Sequence, residues 1–247
     1  MQVKFSATKL PVGKKGIIKP DENGYYTQNL GALNVFNSAG EFYDLEGAKI
    51  LFEESSSFMR KVRNGCVKPE LGHPKRLPGM TDDQYLSRVF RIEETNTCAH
   101  ISDVWLDYIN GKNLGQGNIV LIMGKVKPSG PFGYVLKEAY ENGQENLCFS
   151  IRSITKDFYD RGTKIKVLDI ILNFDYVTEP GIFSSTKWMS PSLEEISSLV
   201  ITKPKIQSMI NTNLIGNISQ ESDNAILKQI ITIFDNDTKT KPLYTNW

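Results

Sequence analysis

Apolar and polar residues alternate along much of this chain in short runs broken by glycine, proline and asparagine, a pattern that predicts brief strands joined by turns. Strands are expected at residues 2–6, 30–36, 88–92, 98–106, 119–126 and 146–154, with further strand over 164–177. Residues 119–126 are apolar enough to be a central strand. Asn37-Ser38-Ala39-Gly40 reads as a turn, and Asn110-Gly111 is a hairpin signal. Helical spacing stands out once, over 45–64, where Ile50, Leu51, Phe58 and Val62 form a stripe. There the acids Glu53 and Glu54 lie early, and Arg60, Lys61 and Arg63 lie late, before Gly65. Smaller helices are expected at 81–85 and 134–142. After about residue 185 the composition turns to Ser, Thr, Asn and Lys. Within that part Ser192-Leu193-Glu194-Glu195 reads as a capping box opening a helix to about 200, and 224–234 as another helix.

Composition narrows the function. The chain has 247 residues, 40% of them hydrophobic, and a net charge of +1. That length suits one sizeable domain with an appendage, and near-neutrality argues against nucleic acid as a partner. Three widely spaced cysteines, Cys66, Cys98 and Cys148, fit neither a disulfide framework nor paired zinc ligands, so a reducing compartment is expected. Residues 1–12 have no signal-peptide core and no window approaches a membrane span; a cytoplasmic protein without a membrane partner is expected. Gly115-Gln116-Gly117 lacks the third glycine of a dinucleotide fingerprint, since position 120 is Val, and it precedes a strand rather than a helix.

The chemistry concentrates at two places. His73, one of only two histidines, stands in Glu70-Leu71-Gly72-His73-Pro74, where glycine permits a sharp bend and proline fixes the next φ. An imidazole held still beside a carboxylate meets the needs of a general base. Ser150 lies in the apolar stretch Leu147-Cys148-Phe149-Ser150-Ile151, a costly position unless its hydroxyl has a partner. On a strand, Arg152 shares its face.

Glu70-x-x-His73-Pro74, followed far downstream by a strand ending in Ser150-x-Arg152, resembles the prohead maturation proteases of tailed bacteriophages, particularly the T-even type. The likeness runs from about residue 34 to 185. It implies a serine peptidase of the broad herpesvirus-assemblin fold: an α+β domain built on a small, mostly antiparallel barrel flanked by helices. Residues 1–188 would form this domain and 189–247 a helical C-terminal tail. The resemblance also implies Ser150 as nucleophile, His73 as base, and Asp175, in Phe174-Asp175-Tyr176-Val177, as the acid that orients His73. Arg152 would position oxyanion donors or neutralise an acidic substrate. Glu70 is the reserve acid, and His100 is a second-histidine candidate otherwise read as sheet packing. Asn37 and Tyr43 match an Asn and a Tyr of the family and are read as structural. The glycines that usually flank the nucleophile are absent, Cys148, Ile151 and Ser153 standing around Ser150.

No cofactor or metal is implied. The expected substrates are prohead scaffold and core proteins, the major capsid protein and the protease itself, cut inside the assembling prohead in the host cytoplasm; self-association is left open. A family preference for an aliphatic residue two positions before a Glu fits Leu193-Glu194-Glu195 and predicts a self-cut after Glu195. Two rivals stand beside this reading: a non-enzymatic core, scaffold or tube-like protein of the same fold, and a cysteine peptidase using Cys98 or Cys148.

Overall fold

The structure, a computed structural model, describes residues 2–5, 15–114, 118–191 and 199–202. In chain order its strands are β1 (Gln2–Phe5), β2 (Tyr26–Leu33), β3 (Val35–Phe36), β4 (Phe42–Tyr43), β5 (Ala99–Asp107), β6 (Val120–Pro128), β7 (Cys148–Asp160), β8 (Thr163–Val177) and β9 (Leu199–Thr202). Its α-helices are α1 (Ser57–Arg63), α2 (Asp82–Phe90) and α3 (Gly133–Glu141). The class is α+β.

The first five residues of β6, Val120 to Gly124, are all buried, as an apolar run without alternation requires, and β6 is central in an antiparallel sheet of order β2-β6-β5. Strand β2 carries a bulge between Asn29 and Gly31. The buried Asn29 side chain serves that bulge, its Oδ1 accepting from the Gly31 N–H and its Nδ2 donating to the Ser184 carbonyl. A Cβ at position 31 would come 2.9 Å from Ile151 Cδ1, so any larger residue there would have to displace the Ile151 side chain.

The second sheet has the order β3-β4-β8-β7. Its backbone is the long hairpin of β7 and β8, turned by Arg161 and Gly162 at φ 47° and 82°. Strand β4 adds to β8 in parallel over two residues. The expected barrel does not close among the described residues. Strands β2 and β7 approach through the side chain of Ile151 over Gly31, with no ladder joining them, and the sheets remain open. Phe58 of α1 packs edge-on against Phe174 of β8, with ring centroids 5.8 Å apart. Tyr140 of α3 stacks on Tyr26 of β2 at 3.8 Å.

Several local expectations are corrected. The helix foreseen over 45–64 is a short 3-10 turn, Lys49–Phe52, followed by α1. The break falls at the serine run 55–57, because Ser56 bends extended and its Oγ accepts from Met59 N as an N-cap. Residues 88–90, expected in a strand, end α2, which starts from a capping box between Thr81 and Gln84. Asn110-Gly111 opens a 3-10 turn, Asn110–Leu114, tied down by Asp107, rather than a two-residue hairpin.

The chain divides into two units, residues 9–195 and residues 1–8 with 196–247. In the second unit β1 pairs antiparallel with β9, Gln2 opposite Thr202. The first strand, expected within a 1–188 domain, therefore pairs with a strand of the tail. Leu199 and Val200, expected at the end of a helix, are in that strand. The helix expected at 224–234, the start of the one at 192 and Gly115–Gly117 lie outside the described residues.

Candidate active site

The segment from Val67 to Gly72 is threaded between the start of β5 and the end of β8. Val67 and Glu70 bridge Ile101 and Thr97, while Leu71 bridges Tyr176 in parallel. Glu70 O accepts from Tyr176 N at 3.0 Å, and Gly72 N donates to Tyr176 O at 2.7 Å. Gly72 then turns at φ 80°, a conformation glycine adopts without steric cost, and delivers His73 over the face of β8. His73 Nδ1 lies 2.8 Å from Asp175 Oδ2. A carboxylate accepts, so this contact selects the Nδ1–H tautomer and leaves Nε2 with its lone pair.

Asp175 is fully buried and heavily supported. Arg152 grips it with Nε on Oδ2 and Nη2 on Oδ1, both at 2.7 Å, a bidentate pair. Asn173 Nδ2 and Glu70 N each donate to Oδ1 at 3.3 Å. Ser150 is the register partner of Asp175 across the β7–β8 ladder, so the two side chains stand on one face, with Cβ atoms about 5 Å apart for such a pair. Two residues on, Arg152 opposes Asn173 on the same face. The Ser150 hydroxyl is partly exposed and has no hydrogen-bond partner among the described residues. A small cavity of about 40 Å³ beside Ser150 is bordered by Asn37, Tyr43, Ile151 and Ser185, which puts the Asn37 and Tyr43 pair next to the serine.

The remaining candidates sort by their contacts. Glu70 is fully buried and closes a cage behind Asp175. Burial pushes its carboxyl up, but hydrogen bonds from Arg88, the Glu93 N–H and Asn96, with the charge of Arg152 3.1 Å away, outweigh that and hold it at about 2. Arg152 is 4% exposed, with Nη1 on the carbonyls of Val89 and Arg91, so its donors are spent internally rather than offered to a substrate. His100 takes no part in this cluster: its Nδ1 is 3.0 Å from the Tyr25 hydroxyl, in the sheet β2-β6-β5. Burial pushes the Cys98 thiol up to about 12, with Asp175 adding to it, and the Cys148 thiol up to about 11. Both thiols are therefore protonated near neutrality, which disfavours them as nucleophiles.

Sequence reasoning missed Arg88, Asn96 and Asn173, which hold Glu70 and Asp175. The Thr81-x-x-Gln84 signal would have put Arg88 on a helix, while its meeting with Glu70 is set by tertiary packing. It also missed the segment 182–190. Ser185 O accepts from Phe149 N, and Lys187 N donates to Leu147 O, so this segment covers the outer edge of β7 just before Ser150. It is anchored by Lys187, whose buried Nζ donates to the carbonyls of Ala139 and Asn142 at the end of α3. Burial lowers this amine to about 8.

An α+β molecule carrying this cluster falls in a known class of peptidase. The model of the peptidase S80 family matches residues 5–235, and the chain belongs to that family. It is 40% identical over 196 residues, 76% of this chain and 71% of the relative, to the capsid maturation protease of Pseudomonas phage phiKZ. A solved structure, the bacteriophage T4 capsid assembly protease gp21, is similar at a TM-score of 0.42 and 15% identity, over 74% of this chain and 94% of that one. The protein is thus a protease of phage capsid maturation. Among the described residues no helix is long and apolar enough to cross a membrane.

Proposed function

We propose that the protein is a serine endopeptidase whose nucleophile is Ser150, whose general base is His73 and whose orienting acid is Asp175. The observation that carries this reading is the 2.8 Å contact of His73 Nδ1 with Asp175, combined with the cross-strand pairing of Asp175 and Ser150. Ser150 Oγ attacks the scissile carbonyl as its proton passes to His73 Nε2; His73 then gives that proton to the leaving amine, and water hydrolyses the acyl-enzyme. Asp175 holds the tautomer and stabilises the imidazolium. Arg152 is a positioning residue, and Glu70, with Arg88, anchors Arg152. A Ser150 to His73 hydrogen bond is expected to form when bound substrate excludes water, since catalytic contacts often tighten only in the complex.

The substrates are the prohead scaffold and core proteins, the capsid protein and the chain itself, cut within the assembling prohead. A self-cut after Glu195 draws its support from the family preference for an aliphatic residue two positions before a Glu, which Leu193-Glu194-Glu195 fits. Ser150→Ala tests the reading. Cleavage of co-expressed scaffold and capsid protein should fall at least about 10⁴-fold with an unchanged circular dichroism spectrum. Retained cleavage sinks the assignment and returns the cysteine and scaffold rivals to consideration.

A further inference from the structure

Strand β7 has two edges, and the bonds made by its neighbours fix which backbone groups face which. Lys187 N donates to Leu147 O at 2.8 Å and Phe149 N donates to Ser185 O at 3.0 Å, so residues 147 and 149 turn peptide groups to the segment outside the sheet. Tyr176, the register partner of Phe149, spends its N–H and C=O on Glu70 and Gly72 and so also faces away from the hairpin. Backbone direction alternates along an antiparallel pair, which turns Ser150 toward Asp175 and Ile151 outward again. The Ser150 N–H is therefore committed to the ladder. The Ile151 N–H points out of the same edge as that of Phe149, at a place where no strand is paired with β7.

The covering segment leaves this edge beside Ser150. Ser185 N donates to Ile182 O at 3.0 Å and Thr186 N to Ser184 O at 2.8 Å, so the chain turns on itself after a single bridge, that of Thr186 with Cys148. What remains is the hollow of about 40 Å³ bordered by Phe149, Ser150, Ile151, Ile182 and Ser185. A hollow of that size accepts one water-sized group, for which roughly 10–15 Å³ is enough.

We infer that this hollow is the oxyanion hole and that the Ile151 N–H is its backbone donor. The inference rests on Ser150 being the nucleophile. As Ser150 Oγ bonds to the scissile carbon and its proton passes to His73 Nε2, the carbonyl π pair moves onto oxygen. That oxygen enters the hollow and accepts from the Ile151 N–H; its pair re-forms the carbonyl as the amine leaves with the proton from His73. The N–H of the residue after a nucleophilic serine serves this purpose in the α/β-hydrolases. An N–H donates whatever side chain it carries, so the hole needs no glycine beside Ser150.

The test deletes this donor. The full chain is made with the α-hydroxy analogue of isoleucine at position 151, an ester that removes the N–H and keeps the side chain. Ile151→Pro removes the same N–H genetically, at an edge where proline breaks no ladder bond. Cleavage of purified capsid protein should lose about 10²–10³-fold in kcat, with KM within about threefold of the parent. Affinity for a peptide trifluoromethyl ketone, which adds to a serine as an anionic hemiketal, should fall by a similar factor, while affinity for the matching alcohol, which forms no oxyanion, holds. A merely structural role would move both ligands together. Either variant with an unchanged circular dichroism spectrum and kcat within about threefold of the parent, an equal fall for both ligands, or loss of the fold in both variants overturns the donor. Cleavage retained by Ser150→Ala overturns the nucleophile, and the donor with it.

Discussion

Replacing Arg152 with methionine should show how far the site depends on one guanidinium. Asp175 is fully buried and receives its two shortest hydrogen bonds, both 2.7 Å, from Arg152. Without them it keeps His73 at 2.8 Å and two weaker donors at 3.3 Å. Glu70 is less exposed to the loss, because Arg88, the Glu93 N–H and Asn96 remain on it. Breaking a buried pair from one side costs about 3–5 kcal/mol, since it strands the remaining charge. That is a large share of the roughly 5–15 kcal/mol by which a domain is stable. The measurement is urea unfolding of the Ser150→Ala chain, which removes self-cutting from the experiment, with Arg152→Met, Asp175→Asn and the double variant completing a cycle. Asp175→Asn alone strands Arg152, which then has only Glu70 as a charged partner. The double variant should therefore lose less than the sum of the singles, by about 1–3 kcal/mol. An Arg152→Met cost below about 1 kcal/mol, or strict additivity, refutes the idea that Arg152 is what makes a buried Asp175 tolerable.

Two further outcomes follow from the geometry. Glu70 is held at about 2 in the folded chain against an ordinary 4.5, so its contribution is present above pH 4.5 and is lost as pH falls from there toward 2. The amount is on the order of 3 kcal/mol; stability measured at pH 7, 4.5 and 3 should drop more steeply in the parent chain than in Glu70→Gln, and parallel curves would refute it. Mass spectrometry of the protein from mature particles should find a C-terminus at Glu195, and an intact tail there counts against the self-cut.

What the sequence determined by itself was mostly local. Strands β5, β6 and β7 and helix α3 were legible because apolar spacing and turn residues act over a few positions, and the bend at Gly72 was legible because glycine before a His-Pro pair has little other use. Ser150 stood out as a hydroxyl in an apolar run, and His73 as a rare imidazole beside a proline. Competing local chemistry misled at Ser55-Ser56-Ser57, where a cap won over helical spacing, and at Arg88, where a nine-residue helix opened by a capping box outweighed alternation. Only tertiary structure decided the rest. The register that sets Asp175 opposite Ser150 depends on two bulges in β7 and β8, and a slip of one residue would turn Asp175 to the other face. The Arg88–Glu70–Arg152–Asp175 chain joins residues from α2, an extended segment and two strands, whose charges stabilise one another only once water is excluded from between them. No pattern of neighbours along the chain encodes that exclusion, because it is a property of the packed interior.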